Sequence, residues 1–297
     1  MFKIKHNSES TEKGDLMTTA QDLLRTDYVS VDINDTVSEL LGALKKAKEH
    51  YALVFDGKKY LGVVAKRFLL SSRIDPSTMK VSNITKKRSK SKTAFYVPEL
   101  APDTDIKEIC KLMAASDSHL LPVLEKDKVI GIVIAQDVTK EIAREYAKIT
   151  CQEFSPTIIT ANADDGIDTA IRILSDEGID HLPVVDKKGA VIGMVSMSDL
   201  LDNPNFWGMQ AQKIPQAASH QRGKRTGYGH GEKTKMANLP ITNLLSRKPL
   251  CCTPPETKVP DAVELMEEND VCSIVLVKNN KPVGIFTMKD LFVDYAK

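Results

Sequence analysis

The stretch HLPVVDKKGAVIGMVSMSDLL (181–201) decides the fold. Its His181–Val185 segment reads as a strand, with Pro183 near the start, where a missing N–H does least harm. Lys187-Lys188-Gly189 reads as a turn, and Val191–Val195 reads as a second strand. Ser196, Ser198 and Asp199 then open a closing helix through Leu200 and Leu201. Upstream, Thr157-Ile158-Ile159-Thr160 predicts a first strand, and Asp164 and Asp165 predict the start of a helix that ends near Gly178.

The same pattern occurs four times. Helix stripes with apolar residues at i, i+3, i+4 and i+7 stand at Val37/Leu40/Leu41/Leu44, Ile106/Ile109/Cys110/Met113, Ile167/Ala170/Ile171/Leu174 and Val259/Ala262/Val263/Met266. Glycines 62, 131, 193 and 284 follow the first residue of each stripe by 25, 25, 26 and 25 positions. Four stripes in one register with a downstream glycine are a structural repeat of β-α-β-β-α order. The fold class is therefore α/β in the broad sense, α+β in detail, with helices on one face of small sheets.

A unit of roughly 60 residues buries too little surface alone, so repeats are expected to pair into two modules. The division is a flexible polar tail at 1–15, a first pair at 16–148 and a second pair at 149–297. Between the third and fourth glycines lies an insertion at about 203–240, basic and glycine-rich in its core at 219–235. A second basic run occupies 86–92.

Composition narrows the function. Lys+Arg 41 against Asp+Glu 40 leaves a net charge of +1, which gives no global attraction to nucleic acid or to an anionic membrane. No apolar run approaches the ~20 residues of a membrane helix, and the N-terminus lacks a signal-peptide core. Five cysteines without metal-ligand spacing suggest reduced thiols in a cytoplasm. Gly231-Glu232-Lys233-Thr234 is not a phosphate loop, because Glu232 interrupts it. His220 and His230 have no cysteine pair or acidic partner, so no metal site is expected. His50 and His119 are read as ending the central helices, where the dipole favours them.

Chemistry concentrates after each glycine, three and six positions on. A hydroxyl and a carboxylate at a helix mouth suit phosphate and ribose respectively; they equally suit a helix cap. The third copy has Ser196 and Asp199, and the fourth has Thr287 and Asp290 with Lys289 between. The second keeps Asp137 but has Ile134 for the hydroxyl, and the first has Ala65 and Phe68.

GMVSMSDLL (193–201) and GIFTMKDLF (284–292), preceded by DHLPVVD (180–186), resemble the CBS domain, named after cystathionine β-synthase. The four-repeat layout is similar to the γ-subunits of AMP-activated kinases. The resemblance implies clefts for AMP, ADP, ATP or S-adenosylmethionine. Asp199 and Asp290 would hold ribose, Ser196, Ser198 and Thr287 would meet phosphate, and His181 and Thr157 would line the pocket, with Asp137 in a partial second-repeat site. Arg222, Lys224 and Arg225 of the insertion are expected to form a lid over the phosphates.

The reading is a non-enzymatic cytoplasmic regulator that senses an adenine nucleotide and acts on a protein target. The resemblance also admits a homodimer. A second reading is a nucleic-acid-associated regulator using 86–92 and 219–235, although base-stacking aromatics are scarce there.

Overall fold

Each apolar stripe becomes the buried face of a helix, and that face holds the helix on its sheet. The computed structural model describes residues 17–66, 77–87, 97–155, 157–201, 239–245 and 250–297, with the backbone alone at Lys86, Lys87, Ser198 and Leu201. The polar tail expected at 1–15 and the basic insertion lie outside the described residues, apart from Leu239 and Pro240.

The first repeat holds β1 (Ser30–Asp32), α1 (Val37–Ala47), β2 (Tyr51–Asp56) and β3 (Lys59–Ala65), with β4 (Lys86–Lys87) completing its sheet. The second holds α2 (Ile106–Ser116), β5 (Leu120–Glu125), β6 (Lys128–Ile134) and α3 (Ala135–Ala143). The third holds β7 (Ala161–Asn162), α4 (Ile167–Asp176), β8 (His181–Val185), β9 (Val191–Ser196) and α5 (Met197–Leu201). The fourth holds β10 (Cys252–Thr253), α6 (Val259–Asn269), β11 (Ser273–Lys278), β12 (Lys281–Thr287) and α7 (Met288–Tyr295). The architecture is α+β, as the sequence predicts.

Three local expectations need correction. The third-repeat strand does not run over Thr157–Thr160: β7 starts at Ala161, opposite Val184. Pro183 is the reason. In the first and fourth repeats the same position donates an amide, from Leu53 to the Val29 carbonyl at 2.8 Å and from Val275 to the Cys251 carbonyl at 3.1 Å. Pro183 has no such N–H, so its place in the strand does cost a ladder bond. Pro122 has the same effect, and the second repeat keeps only a bridge between Leu100 and Val123. Secondly, α4 is capped at Gly166 and not by Asp164 or Asp165; the Asp165 carboxylate accepts from the Asn162 amide at 2.7 Å instead. Finally, His50 and His119 lie beyond the left-handed residues that end α1 and α2, at the entrances of β2 and β5.

The repeated glycine has a packing cause. Upstream of each repeat runs a short segment that crosses to a neighbouring repeat and lies over its glycine. A methyl group on Gly131 would collide with the Arg25 carbonyl oxygen and with Leu24. On Gly193 it would lie 2.9 Å from Leu245, and on Gly284 it would strike Ser155; Gly62 pairs with Lys87. The segment before repeat 1 thus covers repeat 2, and the segment before repeat 2 covers repeat 1. Repeats 3 and 4 exchange covers in the same way.

Buried side chains form two clusters. One joins α2, α3, α6 and α7 with β5, β6, β11 and Phe286, and takes in Leu53, Tyr60 and Val63 of the first repeat. The other joins the first and third repeats through Leu40, Leu44, Ala170 and Leu174. Packing therefore runs from repeat 2 to repeat 4 and from repeat 1 to repeat 3, in addition to the exchanged covers. All five cysteines are free, and burial pushes the Cys110 and Cys151 thiols up to about 12, which keeps them protonated and inert.

Candidate functional site

The strand-to-helix junctions that follow Gly193 and Gly284 are built alike. At the first, the Asp199 carboxylate accepts from the Ser196 amide at 2.7 Å and from its hydroxyl at 2.5 Å, and the Asp199 amide donates back to Ser196 Oγ at 3.3 Å. At the second, Asp290 accepts from the Thr287 amide and hydroxyl, both at 2.8 Å, and donates to Thr287 Oγ1 at 3.3 Å. Both hydroxyl–carboxylate pairs are reciprocal caps, which satisfy amides that a helix start would otherwise leave open. In each pair one carboxylate oxygen, Oδ2, carries these bonds.

The fourth-repeat junction has an additional feature. Burial raises the Asp290 carboxyl above its ordinary value, against the Thr287 hydrogen bonds and the Lys289 charge that lower it. Directly across the β11–β12 ladder from Thr287 stands Ser273, fully buried, whose hydroxyl has no hydrogen-bond partner among the described residues. Cross-strand partners share a face of the sheet, so Ser273 lies beside the Thr287–Asp290 pair. An unmatched buried hydroxyl costs about 1–3 kcal/mol.

His181 occupies the position in β8 that Ser273 occupies in β11, opposite Ser196. Its Nε2 lies 3.5 Å from Cys272 Sγ, which brings the third- and fourth-repeat junctions together. Desolvation pushes the imidazole down to about 4, with His119 adding to the effect and Asp180 opposing it. His119 in turn receives the Tyr51 side chain: its backbone amide donates to Tyr51 Oη at 3.3 Å, and the two rings lie 6.3 Å apart.

The remaining predicted residues are dispersed. Lys289 pairs with Asp117 of the second repeat at 2.8 Å, at the left-handed end of α2. Asp137 is held by two Arg25 guanidinium nitrogens, Nε at 2.5 Å and Nη2 at 2.7 Å. Thr157 is exposed, in a stretch before β7 that has no regular secondary structure. Ser198 lies on α5, and its side chain is outside the description, as are Arg222, Lys224, Arg225 and residues 88–92. The sequence reading missed Ser273, Cys272 and Arg25. Aligning each second strand on its pairing partner would have placed Ser273 and His181 in one register. Nothing in the repeat motif itself points to Arg25. No three His, Cys, Asp or Glu side chains converge as a metal centre among the described residues, and no helix there is long and apolar enough to cross a membrane.

Comparison with solved structures gives the same fold in a Methanocaldococcus jannaschii protein proposed to be an archaeal homolog of g-AMPK. The TM-score is 0.72 at 16% identity, over 94% of this chain and all of that one. A conserved Pyrococcus horikoshii protein matches with a TM-score of 0.59 at 15% identity, over the same shares. In sequence, an uncharacterized M. jannaschii protein is 25% identical over 279 residues, 91% of this chain and 60% of its own length. The inosine-5'-monophosphate dehydrogenase of Thermoplasma acidophilum is 30% identical over 125 residues, 42% of this chain but 24% of the enzyme. The chain thus spans less than two thirds of the curated relatives it matches. The CBS domain model matches residues 20–67, 96–144, 151–204 and 241–296, which together cover all four repeats, and the chain belongs to the CBS domain family.

Proposed function

We propose that this chain is a cytoplasmic, non-enzymatic regulatory sensor. It binds an adenine nucleotide or S-adenosylmethionine through its second module, residues 149–297, and acts on a partner protein. The fourth-repeat junction is the principal site and the third-repeat junction the second. The observation that carries this reading is the buried Ser273 hydroxyl without a partner beside Thr287 and a desolvated Asp290. A ligand hydroxyl donating to the Asp290 carboxylate and accepting from Ser273 would remove both penalties together.

Calorimetry of the intact chain with AMP, ADP, ATP and S-adenosylmethionine tests the reading. Asp290→Ala is expected to weaken binding by about 1.5–3 kcal/mol, the range for hydrogen bonds to a charged group. Asp199→Ala should act likewise on the weaker site. Ser273→Ala separates ligand chemistry from folding: it should stabilise the free protein by about 1 kcal/mol, because it deletes an unmatched hydroxyl, while weakening binding. If none of the four compounds binds, the sensor reading is wrong.

A further inference from the structure

The three junction carboxylates are not held alike. Asp199 and Asp290 are each bonded by the hydroxyl three residues before them, whereas Asp137 follows Ile134, which offers none, and both its oxygens are taken by Arg25. Arg25 comes from a different part of the chain. It lies on the segment that crosses onto the second repeat, fixed by paired backbone bonds with Ile132, each 2.8 Å.

The four crossing segments align on a fully buried residue, Ala20, Val81, Cys151 or Ile241. Five positions later the sequence places Arg25, Lys86, Pro156 and Ser246 respectively. By sequence register, the segments before the third and fourth repeats have Pro156 and Ser246 in the corresponding position, neither charged. A guanidinium stands where the carboxylate has no hydroxyl of its own. A cavity of about 250 Å³ is lined by Arg25 and Asp137 together with Asp22, Lys140, Glu141 and Arg144. That is smaller than the roughly 300–1,000 Å³ of a typical small-molecule site.

We propose that Arg25 is a built-in latch that keeps the second repeat closed to nucleotide. It occupies Asp137, the carboxylate at the place that Asp199 and Asp290 hold in their repeats, so the chain binds ligand in repeats 3 and 4 and not in repeat 2. The two N–H groups that Arg25 presents to Asp137 stand in for the two hydroxyls of a ribose. The inference rests on the sensor reading above, and the experiment keeps the two apart.

The test is calorimetric titration of AMP and ATP into the full chain, comparing the parent, Arg25→Gln and Arg25→Gln/Asp137→Asn. Arg25→Gln is expected to bind one more equivalent of nucleotide than the parent, and adding Asp137→Asn should remove it. A parallel series in an Asp199→Ala/Asp290→Ala background, where repeats 3 and 4 bind only weakly, makes the second repeat easier to read: weakened binding with Arg25 present, and one further, tighter equivalent after Arg25→Gln. Arg25→Lys, which keeps the charge but loses the two-pronged grip, should give a partial gain and serves if the Gln variant folds poorly. A parent that binds nothing counts against the sensor reading. The latch is overturned if neither Arg25 variant gains a binding equivalent in either background, or if the gain survives Asp137→Asn.

Discussion

His181 sits among Asp180, His119 and Cys272, and burial lowers its imidazole from 6.5 to about 4. The unfolded chain takes up a proton at this residue below 6.5, while the folded chain refuses it until about 4. Its contribution to stability is therefore complete above 6.5 and is lost as pH falls through that window. Urea melts between pH 7 and 4 should show a falling stability in the parent and a flatter profile in His181→Asn; equal slopes would mean that the ring is hydrated. At this scale the sequence was legible where a residue's role is local. Ser196 with Asp199 and Thr287 with Asp290 were visible as paired groups, because a cap is written in four consecutive residues. Ser273 and Arg25 were not, because their meaning comes from a strand register and from a contact with Asp137, 112 positions away.

At the scale of elements, helix stripes and strand pairs follow directly from periodicity, and the buried faces of α1, α2, α4 and α6 are the residues that the 3.6-residue period selects. The glycines were legible as a repeat but not as crossing points, since the covering segment lies far off in sequence. Two alanine substitutions separate these roles. Gly131→Ala should destabilise the protein by about 1–3 kcal/mol, because the added methyl meets backbone as well as the Leu24 side chain. Gly42→Ala, in α1 with no atom within 4 Å of the new methyl, should stabilise it by about 1 kcal/mol. Both are read from denaturant midpoints. The shortened ladders at Pro122 and Pro183 were missed for the reason that also explains them: the lost donor matters only once the neighbouring strand is known.

Across the whole molecule, α2 packs on α7 and α3 packs on both α6 and α7, so the second and fourth repeats share one core. An aromatic chain extends it, with Tyr146 and Phe154 rings 5.5 Å apart and Phe154 and Phe286 5.7 Å apart. Tyr146 Oη donates to Asp294 at 3.1 Å. Periodicity said how many repeats there are, yet it could not say which helices meet, because every repeat offers the same kind of apolar face. Phe292, 2% exposed on α7, belongs to this shared core. Phe292→Ala should cost about 3–5 kcal/mol and shift a single unfolding transition that includes the second repeat. A split into two transitions, with second-repeat probes unmoved, would show that the modules unfold independently.

The exchanged covers also impose an order on synthesis. A second or fourth repeat leaving the ribosome finds its covering segment already made, since residues 24–25 precede Gly131 and Ser155 precedes Gly284. A first or third repeat must wait. Gly62 waits 25 residues for Lys87, and Gly193 waits 52 for Leu245. Doubling a loop adds only about 0.6 kcal/mol to its closure, so the insertion costs little at equilibrium. During translation it has a different effect: it leaves the third repeat's sheet uncovered for twice as long a stretch of nascent chain as the first.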